Sequence, residues 1–194
     1  MDFANGIRSM MRQDPDIILV GEVRDEDTAE MAFRAAMTGH QVLTTLHTNS
    51  AIGAIPRLLD IGVLPDIMTG NIIGIISQRL IRLLCKHCKK EAWSDVVDSK
   101  LLKVNEPVKI YEPAGCEHCE STGYKGRISV MEALTIEAEL DELIAKRATL
   151  GELKECARRS GYKTLADDAI RVVRAGLTSL PEVARVIDMT HRIK

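Results

Sequence analysis

The sequence predicts an α/β fold, because a strand, a helix and a second strand follow one another near its start. Residues 17–20 (Ile-Ile-Leu-Val) form an uninterrupted apolar run, which is typical of a parallel strand covered on both faces. Asp25 or Asp27 can then cap a helix over about 28–38, and Gly39 stands where a helix-ending glycine belongs. Residues 40–48 predict a second buried strand, which completes a βαβ unit.

Helices are predicted on both sides of this unit. Apolar residues at helical spacing favour a helix over 3–13, and similar patterns favour helices over 50–60 and about 66–84. In the last of these, Gly70 and Gly74 form a pair of small residues four apart, which indicates close packing of helices.

The rest of the chain changes character twice. Residues 85–120 contain four cysteines and few apolar runs, which predicts a small metal-binding insertion. From 137 to 194 apolar residues recur every three or four positions, and the breaks at glycines favour three helices. We therefore expect a partial core over 1–84, a tetracysteine element over 85–120, and a strand followed by a helical subdomain over 121–194.

Composition narrows the functional classes. The net charge of -2 and the aromatic content of 3% argue against a nucleic-acid partner, which needs basic and base-stacking surfaces. The chain has no apolar segment of the ~20 residues that a membrane helix requires. Its first residues lack the apolar core of a secretory signal. Cysteines arranged in Cys-x-x-Cys pairs are typical of a reducing compartment, so we expect a cytoplasmic protein.

The first strand ends in a carboxylate, Glu22. In a phosphate-transfer site, such an acid binds Mg²⁺ or polarises the water that attacks the γ-phosphate. The residue before it is Gly21, so Glu22 stands alone and is predicted to orient water, with the metal carboxylate supplied elsewhere. Arg24 can pair with Glu22 or reach a phosphate. The alternative, a parallel strand that simply ends in a surface acid, is the commoner origin of this pattern.

Two histidines bracket the second predicted strand. In an extended chain, His40 and His47 lie about 23 Å apart, so they cannot share a metal. His47 falls at the carboxyl end, where α/β folds bind ligands, and Thr48 belongs to a group of polar residues at the same edge. His47 can donate a hydrogen bond to a γ-phosphate, although a structural hydrogen bond is the commoner role of such a histidine.

Two cysteine pairs have the spacing of a structural metal site. Cys85 and Cys88, with Cys116 and Cys119, supply four thiolates, which close a tetrahedral zinc site and leave no position for catalytic water. Redox cysteines and unligated cysteines remain alternatives. Basic residues near the first pair fit a nucleic-acid zinc ribbon less well than a solvated or protein-docking face.

Several segments in order resemble the secretion ATPase family of type II secretion and type IV pilus assembly. “DPDIILVGEVRD” (14–25) is similar to its Walker B segment and “TGHQVLTTLHTNSA” (38–51) to its histidine box. The similarity continues through “SQRLIRLLC” (77–85), the cysteine pairs and “GYKGRISVMEAL” (123–134). The tetracysteine element favours the assembly and secretion branches over the retraction branch, and other segments slightly favour pilus assembly.

The resemblance implies a RecA-like P-loop ATPase that uses ATP and Mg²⁺ and forms a hexameric ring. It implies that Glu22 is the catalytic carboxylate and that His47 is a catalytic residue of the histidine box near the nucleotide. Arg24, His40 and Thr48 are expected only as parts of the nucleotide-site motifs. Expected partners are an inner-membrane platform protein and membrane-anchored secretion or pilus components, so the protein is expected at the cytoplasmic side of the inner membrane.

The sequence departs from this family in one respect. It has no Walker A loop (Gly-x-x-x-x-Gly-Lys-Ser/Thr) and no aspartate box before the Walker B segment. We therefore expect an excised fragment or a truncated reading frame that is catalytically deficient alone. The alternatives are a non-catalytic, zinc-stabilised docking module and a zinc protein that binds nucleic acid. Whether pilin or a secreted protein is moved stays open.

Overall fold

The computed structural model describes residues 3–192. These residues form two compact units. The first contains the chain up to Ile76 together with Ala133–Tyr162, and the second contains Ser77–Glu132 together with the chain from Lys163 onward. Both units combine helices with strands, so the predicted α/β class is confirmed.

The helices and strands have the following bounds. The α-helices are α1 (Phe3–Met10), α2 (Glu26–Met37), α3 (Ala54–Ile61), α4 (Pro65–Met68), α5 (Val96–Leu102), α6 (Ala138–Ala145), α7 (Leu150–Arg159), α8 (Leu165–Arg174) and α9 (Leu180–Val186). The strands are β1 (Ile17–Val20), β2 (Gln41–Thr44), β3 (Gly74–Leu84), β4 (Lys90–Trp93), β5 (Lys109–Glu112) and β6 (Tyr124–Thr135). Short 3₁₀ turns occupy Met11–Gln13, Glu117–Cys119 and Thr190–Arg192. None of the helices described is long and apolar enough to cross a bilayer.

The predicted β1–α2–β2 unit is present in the first compact unit. β1 and β2 are parallel, with Val20 opposite Thr44. The carboxylate of Asp25 accepts a hydrogen bond from the Thr28 N–H at 2.8 Å, and so caps α2 as predicted. Gly39 follows the end of α2 with φ of +98°, a left-handed conformation that glycine adopts without a steric penalty.

The predictions that β1 is covered on both faces and that β2 is buried are wrong. In β1, Ile18 and Val20 are buried in a cluster with residues of α1 and α2, whereas Ile17 and Leu19 are 58% and 70% exposed. Leu43 of β2 is also exposed. In an unbroken apolar run, the side chains on both faces of the strand are apolar. The run therefore does not show which face another layer covers.

The predicted helix over 66–84 is also wrong. α4 ends at Met68, and Gly74–Leu84 is a strand that pairs with β6. A Cβ on Gly74 would lie 3.2 Å from the Leu134 carbonyl oxygen, so this glycine permits close approach of strands rather than helices. Further along β3, Ser77 and Ile81 are buried and separated by exposed Leu80, in the two-residue alternation of a strand.

The second compact unit has its own core. β4 and β5 pair antiparallel, with Ala92 opposite Ile110. The core beneath them joins side chains from β3, β6, α5, α8 and α9, including Leu102, Val130 and Val173. Among the described residues from 137 to 192 there are four α-helices rather than the three predicted, with α6 and α7 in the first unit and α8 and α9 in the second.

Candidate functional site

Glu22 is positioned by the parallel pairing of β1 with β2. Just beyond the two strands, the Val23 N–H donates to the Thr45 carbonyl at 3.0 Å, and the Thr45 hydroxyl donates to the Gly21 carbonyl at 2.7 Å. These hydrogen bonds hold the segments that follow β1 and β2 side by side. As a result, residues 25 positions apart in sequence, Glu22 and His47, lie together at the carboxyl edge of the strand pair.

Both carboxylate oxygens of Glu22 have a partner. Oε1 lies 2.6 Å from Nη2 of Arg24, and Oε2 lies 3.1 Å from Nε2 of His47. The carboxylate is 22% exposed, whereas the Arg24 and His47 side chains are 69% and 82% exposed. The hydrogen bond from Arg24 lowers the pKa of Glu22. Partial burial acts in the opposite direction, and the contact with His47 lowers the pKa further. Glu22 is therefore an ionised acceptor near neutral pH.

The other two predicted motif residues make local contacts. His40 precedes β2, so it lies at the amino end of the parallel strand pair, opposite to Glu22. Its Nδ1 is 3.0 Å from the Ala35 carbonyl oxygen and 3.1 Å from the Thr38 hydroxyl, at the end of α2. The Thr48 hydroxyl donates to the Ser50 carbonyl at 3.0 Å. The fold thus groups Glu22 with Arg24 and His47 and places His40 elsewhere.

The four predicted metal-binding cysteines converge in the second compact unit. Their sulfur atoms all lie within 4.8 Å of one another. Cys85 and Cys116 are 3.9 Å apart at Sγ, and the Cys88–Cys119 and Cys116–Cys119 pairs are 3.8 Å apart. In a tetrahedral zinc site with Zn–S bonds of about 2.3 Å, sulfur atoms are about 3.8 Å apart. The donor set and its spacing therefore fit a zinc ion.

Backbone N–H groups point at two of the four sulfur atoms. Gly115 donates to Cys88 Sγ at 3.3 Å, while Cys116 and Gly123 donate to Cys119 Sγ at 3.3 and 3.2 Å. Burial raises the pKa of Cys119, but the two N–H donors outweigh it and lower the pKa to about 6. Burial and the neighbouring thiols raise the pKa of Cys116 to about 11. Such N–H groups stabilise the thiolate form that a metal requires.

The two histidines inside the cysteine pairs do not join this cluster. The rings of His87 and His118 stack with centroids 4.1 Å apart and planes inclined by 26°. The buried Cys156 also lies outside the cluster. The prediction that zinc ligation uses the four paired cysteines agrees with this placement.

A buried charge network in the same unit was missed by the sequence prediction. The Glu182 side chain is fully buried and accepts hydrogen bonds from the Arg82 backbone N–H, the Arg82 guanidinium and the Arg185 guanidinium. Arg82 also lies over the Tyr124 ring at 4.1 Å. Only the spacing of Glu182 and Arg185, three apart on a helix, gave a signal in the sequence, because Arg82 is 100 residues away.

Known secretion and pilus-assembly proteins are similar to this chain over nearly its whole length. A family model described as “Type II/IV secretion system protein” matches residues 1–185. The type IV pilus assembly ATPase TfpB of Acinetobacter baylyi is 45% identical, over 98% of this chain and 33% of that protein. Type II secretion system protein E of Pseudomonas aeruginosa is 43% identical, over 96% of this chain and 37% of that protein. The chain thus spans about a third of the length of these relatives.

Solved structures of ATPases share the fold. The pilus retraction motor PilT, solved with bound ADP, is 28% identical with a TM-score of 0.66, over 95% of this chain and 43% of that one. The Legionella pneumophila ATPase DotB matches with a TM-score of 0.64 at 23% identity, over 95% of this chain and 42% of that one, which is a likeness of fold alone. With a family model that matches nearly its full length, the chain belongs to the type II/IV secretion system protein family.

Proposed function

We propose that this chain supplies the water-activating carboxylate and the structural metal site of a secretion or pilus-assembly ATPase. The observation that carries the proposal is Glu22, held between Arg24 and His47 at the carboxyl edge of β1 and β2. Ligands of α/β proteins bind at this edge. The names of the relatives support the reaction class, because they include type IV pilus assembly ATPases.

In this proposal each residue of the site has a separate task. ATP would supply the phosphoryl group, and Mg²⁺ would supply positive charge that balances the negative charge of the phosphates. Glu22, kept ionised by Arg24, accepts a hydrogen bond from the attacking water and orients it. His47 holds the second oxygen of Glu22 and presents its exposed ring at the same edge, where it can contact the γ-phosphate. Thr48 shapes the turn after His47 through its bond to Ser50.

We extend the proposal to the parent protein through its relatives. The βαβ unit would be the later portion of a RecA-like core, followed by the tetracysteine element and a C-terminal helical subdomain. Six copies of the parent would form a ring at the cytoplasmic face of the inner membrane, where domain motions drive a platform protein. The PilT structure with bound ADP supports nucleotide binding by this fold.

We propose a structural role for zinc at Cys85, Cys88, Cys116 and Cys119. Four thiolates fill the tetrahedron and leave no open position for water or substrate. The ion would tie the loop after β3 to the loop before β6, because each loop contributes one Cys-x-x-Cys pair.

The chain by itself is proposed to turn over ATP negligibly. Its 194 residues include no Walker A loop, and backbone N–H groups and the lysine of that loop normally hold the β- and γ-phosphates. The test is a chimera in which this chain replaces the matching third of the Acinetobacter baylyi TfpB ATPase. We expect Mg-ATPase activity from the chimera and none from the isolated chain.

The decisive variant of the chimera is Glu22→Gln, which keeps the shape of the side chain and removes its charge. We expect a fall in kcat of about 100-fold or more, the usual contribution of a general base. Glu30→Gln is the matched control, because Glu30 forms an exposed ion pair with Arg34 on α2. Full activity of the Glu22→Gln chimera would exclude Glu22 as the catalytic carboxylate.

A non-catalytic docking module is the second candidate function. It is favoured by an exposed apolar surface formed by Trp93, Val96 and Val97, which are 69%, 74% and 55% exposed at the end of β4 and the start of α5. Exposed tryptophan beside other apolar side chains is typical of interaction surfaces. If the chimera is folded and loaded with zinc but hydrolyses no ATP, that result would favour the docking role.

A further inference from the structure

The first cysteine pair is connected to the turn between α8 and α9 by a side chain. Lys89 directly follows Cys88, and its Nζ donates to the Gly176 carbonyl at 2.7 Å. Gly176 follows the end of α8, where its own N–H closes the helix by donating to the Val173 carbonyl at 2.8 Å. A lysine cation at this position satisfies a carbonyl just past the end of the helix and lies near the negative end of the helix dipole.

An aromatic ring lies against the contact between Lys89 and Gly176. Lys89 Nζ also lies 4.3 Å from the centroid of the Tyr111 ring, which is on β5. Gly176 has φ of +65°, and a Cβ at this position would lie 2.7 Å from two atoms of the same ring. Lys89, Tyr111 and Gly176 therefore fit together only with a glycine at 176, which makes the contact specific rather than a passing surface interaction.

The cysteine pair sets the direction of Lys89. The N–H groups of Cys88 and Lys89 both donate to the Cys85 carbonyl, at 3.3 and 3.0 Å, and form the tight turn that a Cys-x-x-Cys pair adopts around a metal. A metal bound by Cys85 and Cys88 fixes this turn and hence the start of the Lys89 side chain. Without it, hydrogen bonds alone hold the turn: these two, the bond from the Cys85 N–H to the Gly123 carbonyl at 2.9 Å, and the bond from the Gly115 N–H to Cys88 Sγ at 3.3 Å.

Other contacts hold the α8–α9 turn without using the cysteines. The Leu84 N–H donates to the Leu177 carbonyl at 2.8 Å, and the Thr178 hydroxyl donates to the Arg82 carbonyl at 2.8 Å. Both come from β3. The Lys89 contact is thus the part of this attachment that depends on the conformation of the first cysteine pair.

We propose that Lys89 couples the tetracysteine site to the α8–α9 turn, so that metal binding at the cysteines orders residues 176–179 and the start of α9. This inference rests on the proposed zinc occupancy. It adds a consequence of that occupancy: the metal controls the order of a segment that begins at Gly176, more than 50 residues beyond Cys119, the last of the four clustered cysteines. Such a device makes the position of α9 sensitive to metal loading.

The test is hydrogen exchange of the Gly176 and Leu177 amides, measured by NMR on the full 194-residue chain. Removing zinc with a chelator is expected to speed their exchange about tenfold or more, the effect of losing one charge-assisted hydrogen bond. The Thr38 and Gly39 amides, which close α2 in the other compact unit, serve as the reference and are expected to change little. Unchanged exchange at Gly176 and Leu177 after chelation would overturn the coupling.

The variant Lys89→Met tests the same claim without removing metal. Zinc-loaded Lys89→Met is expected to exchange these two amides as fast as the metal-free wild type, and chelation is expected to add little more. Lys86→Met is the matched control, because Lys86 is an exposed lysine in the same cysteine loop. Wild-type exchange rates in zinc-loaded Lys89→Met would refute the role of Lys89. Metal analysis separates this failure from absence of zinc, which would instead remove the proposed zinc site.

Discussion

His47 Nε2 lies 3.1 Å from Oε2 of Glu22, although the two residues are 25 positions apart in sequence. The parallel register of β1 and β2 creates this contact, because both strands end at the same edge and the segments after them remain hydrogen bonded. Arg24 Nη2 lies 2.6 Å from the other oxygen, so the carboxylate is held between a guanidinium and an imidazole ring. Four predictions follow from this geometry and from that of the second unit.

Arg24→Gln is expected to raise the pKa of Glu22 toward its ordinary value, because the hydrogen bond from Arg24 is the largest influence that lowers it. The measurement is a carboxyl-carbon NMR titration of the 194-residue chain. Arg34→Gln is the control, since Arg34 pairs with Glu30 and leaves Glu22 untouched. A Glu22 pKa that stays the same in Arg24→Gln would contradict the observed ion pair.

His47→Gln and His40→Gln are expected to have different effects in the TfpB chimera. His47 contacts Glu22, so its loss is expected to lower kcat roughly 10-fold or more with little change in Tm. His40 contacts the end of α2, so its loss is expected to lower Tm by a few degrees, as roughly 1 kcal/mol does in a chain of this size. Equal effects of the two variants on kcat would show that both histidines act in catalysis.

The tetracysteine site is expected to bind one zinc per chain. Cys85→Ser or Cys116→Ser is expected to lose the ion and lower Tm by about 10 °C, equivalent to roughly 3 kcal/mol. Metal analysis and thermal unfolding measure these effects, and cobalt substitution reports the four-sulfur environment by absorption. Cys156→Ser, outside the cluster, is the control for loss of a buried thiol. Retained zinc in both cluster variants would rule out this ligand set.

Glu182 is expected to make the second unit sensitive to acid. Burial raises the pKa of this carboxyl, but hydrogen bonds from Arg185 and Arg82 outweigh it and lower the pKa to about 2 from 4.5. Because the folded pKa is below the unfolded one, the stabilisation is complete above about pH 4.5 and is lost as the pH falls toward 2. Its full size is about 3 kcal/mol.

The measurement is the difference in unfolding free energy between wild type and Glu182→Gln. We expect about 3 kcal/mol at pH 7 and less than half of that at pH 3. Glu142→Gln, which removes one partner of an exposed pair with Lys146, is expected to cost about 0.5 kcal/mol or less at pH 7. A Glu182→Gln difference that is constant from pH 7 to pH 3 would show that the carboxylate does not titrate with unfolding.

The errors in the sequence prediction have a common physical origin. Gly70 and Gly74 suggested helix packing, yet Gly74 starts a strand, because pairing with β6 stabilises an extended backbone that local spacing did not indicate. Ile17 and Leu19 suggested a doubly covered strand, yet both are exposed. In each case the outcome depends on whether a segment distant in sequence packs against the element, which a local pattern does not record.

The sequence alone determined the α/β class, the order of the motifs, the family and the four cysteines that form one cluster, because these depend on residue type and short spacing. Tertiary structure alone decided that His47 and not His40 reaches Glu22, that Lys89 reaches Gly176, and that Glu182 is buried between Arg82 and Arg185. These contacts depend on strand register and on which helix packs against which strand. Both are fixed by packing and hydrogen bonds between residues up to 100 positions apart.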